Sequence, residues 1–166
     1  GTKTIQNTRL MSRIMKSAYD LDCLIMQHAE DFELSKDGVV NDGIISTKLG
    51  LQGISDLAEK IIIERDLTLL EDYNCRYHIS QISSSKSVEV IRQRKEVVDF
   101  SCGVSINNLS LNENDIGDFR TFLKLSPPLR TEDDRISLVK AINNNLIDII
   151  VSDHKPEDEE SKRLTF

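Results

Sequence analysis

Tryptophan is absent from this 166-residue chain, aromatic residues make up only 5% of it, and proline, cysteine and histidine occur three times each. No apolar run approaches the roughly 20 residues that a membrane-spanning helix needs. Basic residues are also short: 21 Lys and Arg against 28 Asp and Glu leave a formal charge of −7. That balance argues against a nucleic-acid or anionic-membrane surface, since both require a basic face. Cys23, Cys75 and Cys102 are far apart, odd in number and include no CxxC pair. Such spacing argues against a disulfide framework or a zinc-thiolate centre and predicts buried, reduced thiols in a cytoplasmic protein. The opening GTKTIQNTRL has neither a signal-peptide pattern nor an initiator methionine, which predicts an artificial leader or an internal start.

What remains is the composition of a soluble globular protein, 39% hydrophobic and 30% charged. One domain, 1–166, with a core of useful size fits this length. Four segments carry helical periodicity. Leu10, Met11, Ile14, Met15 and Ala18 follow Asn7-Thr8, and Leu57, Ala58, Ile61, Ile62 and Leu69 follow Ser55. Val88 and Ile91 follow Ser83-Ser84-Ser85. Ile136, Leu138, Val139, Ala141 and Ile142 follow Thr131, where Thr131-Glu132-Asp133-Asp134 fits a capping box.

Short β-branched runs lie between these segments: CLIM (23–26), CRYH (75–78), VVDFSCGV (97–104), FLKL (122–125) and IDIIV (147–151). Bounded by polar turns, they predict buried strands. Strands alternating with helices predict a parallel sheet built from βα units, about five of them at roughly 30 residues each. Residues 32–53, with Gly38, Gly43, Gly50 and Gly53, read as one long loop. Pro127-Pro128 predicts a stiff, extended exit from the FLKL strand.

His28, His78 and His154 each close a predicted strand, in LIMQH, CRYH and IIVSDH. In parallel α/β architectures that edge carries the chemistry. Neutral imidazole is a preferred zinc ligand, and the carboxylate of Asp153 can complete or bridge such a site. The wide spacing suits ligands delivered by separate strands rather than a local zinc finger. Each histidine taken alone is more often a hydrogen-bonded surface residue; three at one edge beside an aspartate is what raises the metal reading.

Other patterns have plainer explanations. Asn112-Glu113-Asn114 begins like a calcium loop, but Ile116 fills a ligand position, so a polar turn leading a helix is expected. Ser137-Leu138-Val139-Lys140 matches SxxK inside an amphipathic helix, where chance accounts for it. Glu157 to Arg163 reads as a solvated loop. Arg130 has the chemistry to hold an acidic partner or substrate, with packing as the default role.

HAED (28–31), YHIS (77–80), VSINNLSLNENDI (104–116), LKLSPPLR (123–130) and IDIIVSDHKP (147–156) follow one another along nearly the whole chain. Together they resemble the dihydroorotase branch of the amidohydrolase superfamily, and LKLSPPLR with VSDHKPEDEESKRL is most similar to the alphaproteobacterial members. The resemblance implies a partial (β/α)₈ TIM barrel of the metallo-dependent hydrolase type, with its first strands missing. It implies a zinc-dependent amidohydrolase, with one or two zinc ions in the intact protein, that interconverts N-carbamoyl-aspartate and dihydroorotate in pyrimidine biosynthesis. By the same resemblance His28, His78 and Asp153 are metal ligands, Asp153 also moves the proton, and Ser126 stands at a substrate-binding position. A homodimer and an aspartate carbamoyltransferase partner are implied as well.

The chemistry suits those roles. Metal coordination can bring the pKa of bound water to about 7, and a cation beside the ring carbonyl stabilises the charge developing on its oxygen. A carboxylate at Asp153 would serve as general base and then general acid.

The sequence also departs from the family pattern. The HxH pair of the family's first strand is missing, and so is a bridging carboxylate or lysine ahead of His28. About five βα units do not close an eight-stranded barrel. The expectation is therefore the later part of a longer protein, inactive by itself. Ser126 replaces a usual asparagine, Glu157 a usual histidine, and Asn107-Asn108 a usual histidine pair. Trading cations for an anion beside a dianionic substrate weakens binding. The alternative reading is a non-catalytic relative that scaffolds aspartate carbamoyltransferase. A hydantoinase or allantoinase is disfavoured by PPLR and SDHKP.

Overall fold

The computed structural model describes residues 4–156, 158–162, 164 and 166. Asn7 starts the first helix, α1 (Thr8–Asp20), its side chain accepting from the Leu10 amide, and Met11, Met15 and Ala18 form the buried stripe. β1 (Ile25–Gln27) follows. The segment expected to be one long loop instead holds α2 (Phe32–Ser35), β2 (Val40–Asn41), α3 (Ile44–Leu49) and β3 (Gly53–Ile54). Strands of two residues offer no alternation to read, which is why the sequence hides them. Gly50 ends α3 at φ 66, a left-handed turn that a side chain resists.

The longest helix, α4 (Asp56–Tyr73), is capped by Ser55. Then come β4 (Tyr77–Ile82), α5 (Ser85–Arg94) with Ser84 as cap, β5 (Ser101–Ser105) and α6 (Ile106–Ser110). α7 (Glu132–Asn143) opens on the expected capping box of Thr131 and Asp134. β6 (Ile149–Val151) and the exposed α8 (Glu159–Lys162) complete the series, so the charged tail is partly helical rather than a plain loop. The FLKL run is not a strand. Thr121–Leu123 forms a single 3₁₀ turn that leaves Phe122 exposed, while Leu123 and Leu125 pack on a small cluster around Val40, Ile116 and Leu129.

Four strands make one parallel sheet in the order β1-β4-β5-β6, and β2 pairs with β3 in a separate parallel pair. Register runs Gln27 to Ile79 to Cys102 across the first three strands, and Ile82 to Val104 to Ile150 across the last three. Between Ile79 and Ile82 β4 carries an irregularity against β5, a local kink of the kind found near functional sites. Helices α1, α4, α5 and α7 cover one face, and Met11, Met15, Leu67, Leu70, Ile79, Ile91, Val104 and Leu138 fill the layer between.

A buried carboxylate stitches that layer together. Asp66 on α4 accepts from Gln27 on β1, from the Tyr77 hydroxyl on β4 at 2.6 Å, and from Arg65 at 2.7 and 2.8 Å. Burial raises the Asp66 pKa above the usual value despite these donors. Of the thiols, Cys75 and Cys102 are buried as expected, whereas Cys23 is exposed. Burial, reinforced by Asp148, pushes the Cys102 thiol up to about 12, which leaves it unreactive.

Gly103 marks a close approach between β4 and β5. A Cβ there would lie 2.6 Å from the Ser80 carbonyl oxygen, which is backbone and cannot swing away. Gly103→Ala is expected to cost about 1–3 kcal/mol by overpacking, read as a lower urea midpoint at unchanged slope. An unchanged midpoint would show that the two strands have slack.

Candidate active site

The C-terminal ends of the parallel strands share one edge, and a cavity of about 850 Å³ opens there. Its lining includes Glu30, Ile54, Ser126, Asp153, His154 and Lys155. His28 directly follows β1. Its Nε2 lies 3.2 Å from Glu30 Oε2 and 3.3 Å from Ser126 Oγ, both belonging to cavity residues. The hydrogen bond with His28 holds the Glu30 carboxyl below the usual carboxylate range. Both contacts fall on the same ring nitrogen. The ring therefore cannot pass a proton between serine and carboxylate through its two nitrogens, as a nucleophilic serine requires.

Asp153 sits two residues beyond β6 with φ 49, a left-handed conformation that aspartate tolerates better than most side chains. Its side chain is only 6% exposed, and one oxygen lies 3.1 Å from Lys155 Nζ. That ammonium also donates to the Ser126 carbonyl oxygen at 3.4 Å. Lys155 thus ties Asp153 to the segment that carries Ser126. His154 also lines the cavity and is exposed.

His78 is elsewhere. It is the second residue of a six-residue strand, not the last as CRYH suggested, because β4 continues to Ile82. It is 3% exposed, and its Nδ1 is 2.7 Å from Ser101 Oγ on β5. Val151, at the end of β6, is level with Ser105, whereas His78 is level with Ser101. The backbone levels differ by about 13 Å at roughly 3.3 Å per residue, and Asp153 lies further along. Among the described residues, no group of three His, Cys, Asp or Glu side chains is placed to hold a metal ion. The expected trio therefore does not fit a metal shell here: His28 and Asp153 reach the cavity edge, and His78 does not.

Burial lowers the His78 pKa below its usual 6.5, with Asp148 opposing weakly. A group whose folded pKa is depressed is neutral in both states above 6.5 and gains its proton first in the unfolded chain. Stability is therefore expected to fall as pH drops below about 6.5, and His78→Asn should flatten that part of a pH series of urea midpoints. An unchanged slope would remove His78 from the account.

A buried polar network borders the cavity. Arg130, 4% exposed, donates through Nε to Ser83 Oγ at 3.1 Å, and through Nη1 to Asn41 Oδ1 at 2.8 Å and to the Ile54 carbonyl. Ser83 in turn donates to Glu59, and Asn41 donates to Glu113 at 2.7 Å. One guanidinium thereby ties the end of β4 to both β2 and β3, and two buried carboxylates face it across neutral side chains. Packing is thus what Arg130 does. Asn108 holds the same region by donating to the Pro128 carbonyl at 3.0 Å, while Asn107 is half-buried. Glu157 lies outside the described residues. Glu30 and Lys155 were not singled out from the sequence. Their proximity to His28 and Asp153, two residues along the chain in each case, was the available signal.

Residues 2–87 match the family described as Dihydro-orotase-like. The chain belongs to that family. It is 40% identical over 162 residues to a dihydroorotase of Ehrlichia canis, which covers 96% of this chain and 36% of the relative. A dihydroorotase of Listeria innocua is 39% identical over 161 residues, covering 96% and 38%. The chain therefore spans little more than a third of the length of these relatives. Among solved structures, L-hydantoinase from Arthrobacter aurescens superposes with a TM-score of 0.74 at 23% identity, covering 89% of this chain and 34% of that one. Dihydroorotase from Saccharomyces cerevisiae gives a TM-score of 0.71 at 18% identity, covering 95% and 42%. At those identities the likeness shows the fold: the four-stranded sheet is an arc of an amidohydrolase-type (β/α)₈ barrel. Among the described residues no helix is long and apolar enough to cross a membrane.

Proposed function

We propose that the complete protein to which this chain belongs is a dihydroorotase, opening and closing the cyclic amide between dihydroorotate and N-carbamoyl-aspartate in pyrimidine synthesis in the cytoplasm. The observation that supports it most is Asp153. It is a nearly buried carboxylate at the C-terminal edge, beside a cavity that also receives the contacts of His28, in a chain related to dihydroorotases over nearly its whole length.

Ring opening adds water to the amide carbonyl, breaks the C–N bond and leaves one proton on the departing nitrogen. Asp153 would take the proton from the attacking water and return it to that nitrogen. Lys155, with Nζ 3.1 Å from Asp153, holds the carboxylate in place for both transfers. Ser126 and His154 would face the substrate from the cavity wall. A zinc ion, where the whole protein holds one, supplies Lewis acidity and an acidified water. The described residues do not form its shell.

The test is an absorbance assay of the complete, purified protein with dihydroorotate and, in reverse, with N-carbamoyl-aspartate. Turnover of both, with hydantoin and allantoin untouched, is the expected result. Lack of turnover with a folded protein contradicts it. A second reading is favoured by the position of His78 and by the lysine pairing of Asp153: a non-catalytic family member that scaffolds aspartate carbamoyltransferase, alone or as a homodimer. Co-purification of that enzyme with an inactive protein would support it.

A further inference from the structure

We infer that His78 is a bracing residue inside the sheet rather than a metal ligand, and that the residue β4 carries toward the cavity edge is Gln81. This rests on the reading of the complete protein as a metal-dependent hydrolase. The ground is positional. β4 runs from Tyr77 to Ile82, so its second residue is His78 and its penultimate residue is Gln81. His28 follows Gln27, which pairs with Ile79, so His28 stands level with the residues after Ile79, past His78.

The surroundings of His78 also explain its presence without an ion. Nδ1 is engaged by Ser101 Oγ at 2.7 Å, and Nε2 lies 3.5 Å from where a Cβ of Gly103 would be. The imidazole thus lies against Ser101 and within van der Waals reach of Gly103, where the Ser80 carbonyl oxygen makes the tighter approach. A histidine that binds zinc through one nitrogen normally has the other oriented by a hydrogen bond. Here that supporting bond exists, yet the residue is 3% exposed and takes no part in the cavity lining. Further along, β4 carries the half-buried Gln81, whose amide is a class of ligand suited to harder ions than zinc, which prefers imidazole and thiolate. The contribution of this chain to any zinc shell is then His28 and Asp153, with the remaining ligands drawn from elsewhere in the complete protein.

The test is zinc affinity of the complete protein by chelator competition, with zinc content by mass spectrometry, for wild type, His78→Asn and His28→Asn. His78→Asn is expected to keep its zinc with affinity within about threefold, while His28→Asn loses at least about tenfold. A tenfold or greater loss in folded His78→Asn overturns the inference. Should His78→Asn fail to fold, the wild type decides through ¹⁵N NMR of its histidine side chains. A His78 ring unmoved by zinc supports the inference, and a metal-shifted His78 nitrogen overturns it. A complete protein that binds no zinc leaves His78 unligated as inferred, and sinks instead the metal-dependent reading on which the inference rests.

Discussion

Asp153→Asn in the complete protein is expected to lower kcat/KM for dihydroorotate by about 10²–10⁴, the usual range for loss of a positioned general base. The substitution keeps the shape and the hydrogen-bonding capacity toward Lys155 but removes the proton acceptor. Asp153 is 6% exposed and paired with an ammonium that is itself 64% exposed. Loss of the charge therefore frees Lys155 to turn outward without stranding it in the interior. Stability should change by less than activity does. Steady-state kinetics beside a urea titration separates the two, and a variant that keeps more than a tenth of wild-type kcat/KM removes Asp153 from the proton pathway.

Arg130→Met is expected to cost about 1–3 kcal/mol of stability, because it leaves the buried Asn41 amide oxygen and the Ile54 carbonyl without their donor. Glu59 and Glu113, at 3% and 8% exposure, keep their carboxylates but lose the cation that faces them through Ser83 and Asn41. The β2 and β3 pair would lose its tie to the end of β4 at the same stroke, loosening the wall of the cavity that Ile54 helps to line. Lys124→Met is the control: Lys124 is exposed on the same cavity, and a surface change of this kind shifts stability by roughly 0.5 kcal/mol or less. Equal urea midpoints for the two variants would contradict the structural role assigned to Arg130.

Period and capping carried the layer of helices. Asn7, Ser55, Ser84 and Thr131 sit where helices begin, and Met11, Ile62, Ile91 and Leu138 are buried on the faces their spacing marks. Short parallel strands were harder. A buried strand shows no alternation, so CRYH marked where β4 starts but not that it continues through ISQI. The longer β4 places His78, one of three expected ligands, in the interior of the strand rather than at its end. FLKL misled for the opposite reason: its leucines serve a small local cluster, and no neighbouring strand pairs with it. Asp153 and His28 were legible because each follows a strand whose end was placed to within a few residues. Lys155, Glu30 and the Arg130 network depend on contacts between distant segments, which no single-sequence pattern encodes.

The most direct test of the account is a crystal structure of the complete protein with dihydroorotate or N-carbamoyl-aspartate bound. The ligand is expected in the cavity between Ser126 and Lys155, with its amide within hydrogen-bond distance of Asp153. Density for it anywhere beyond that edge, with Asp153 still facing only Lys155, would contradict the assignment of this cavity as the reactive site.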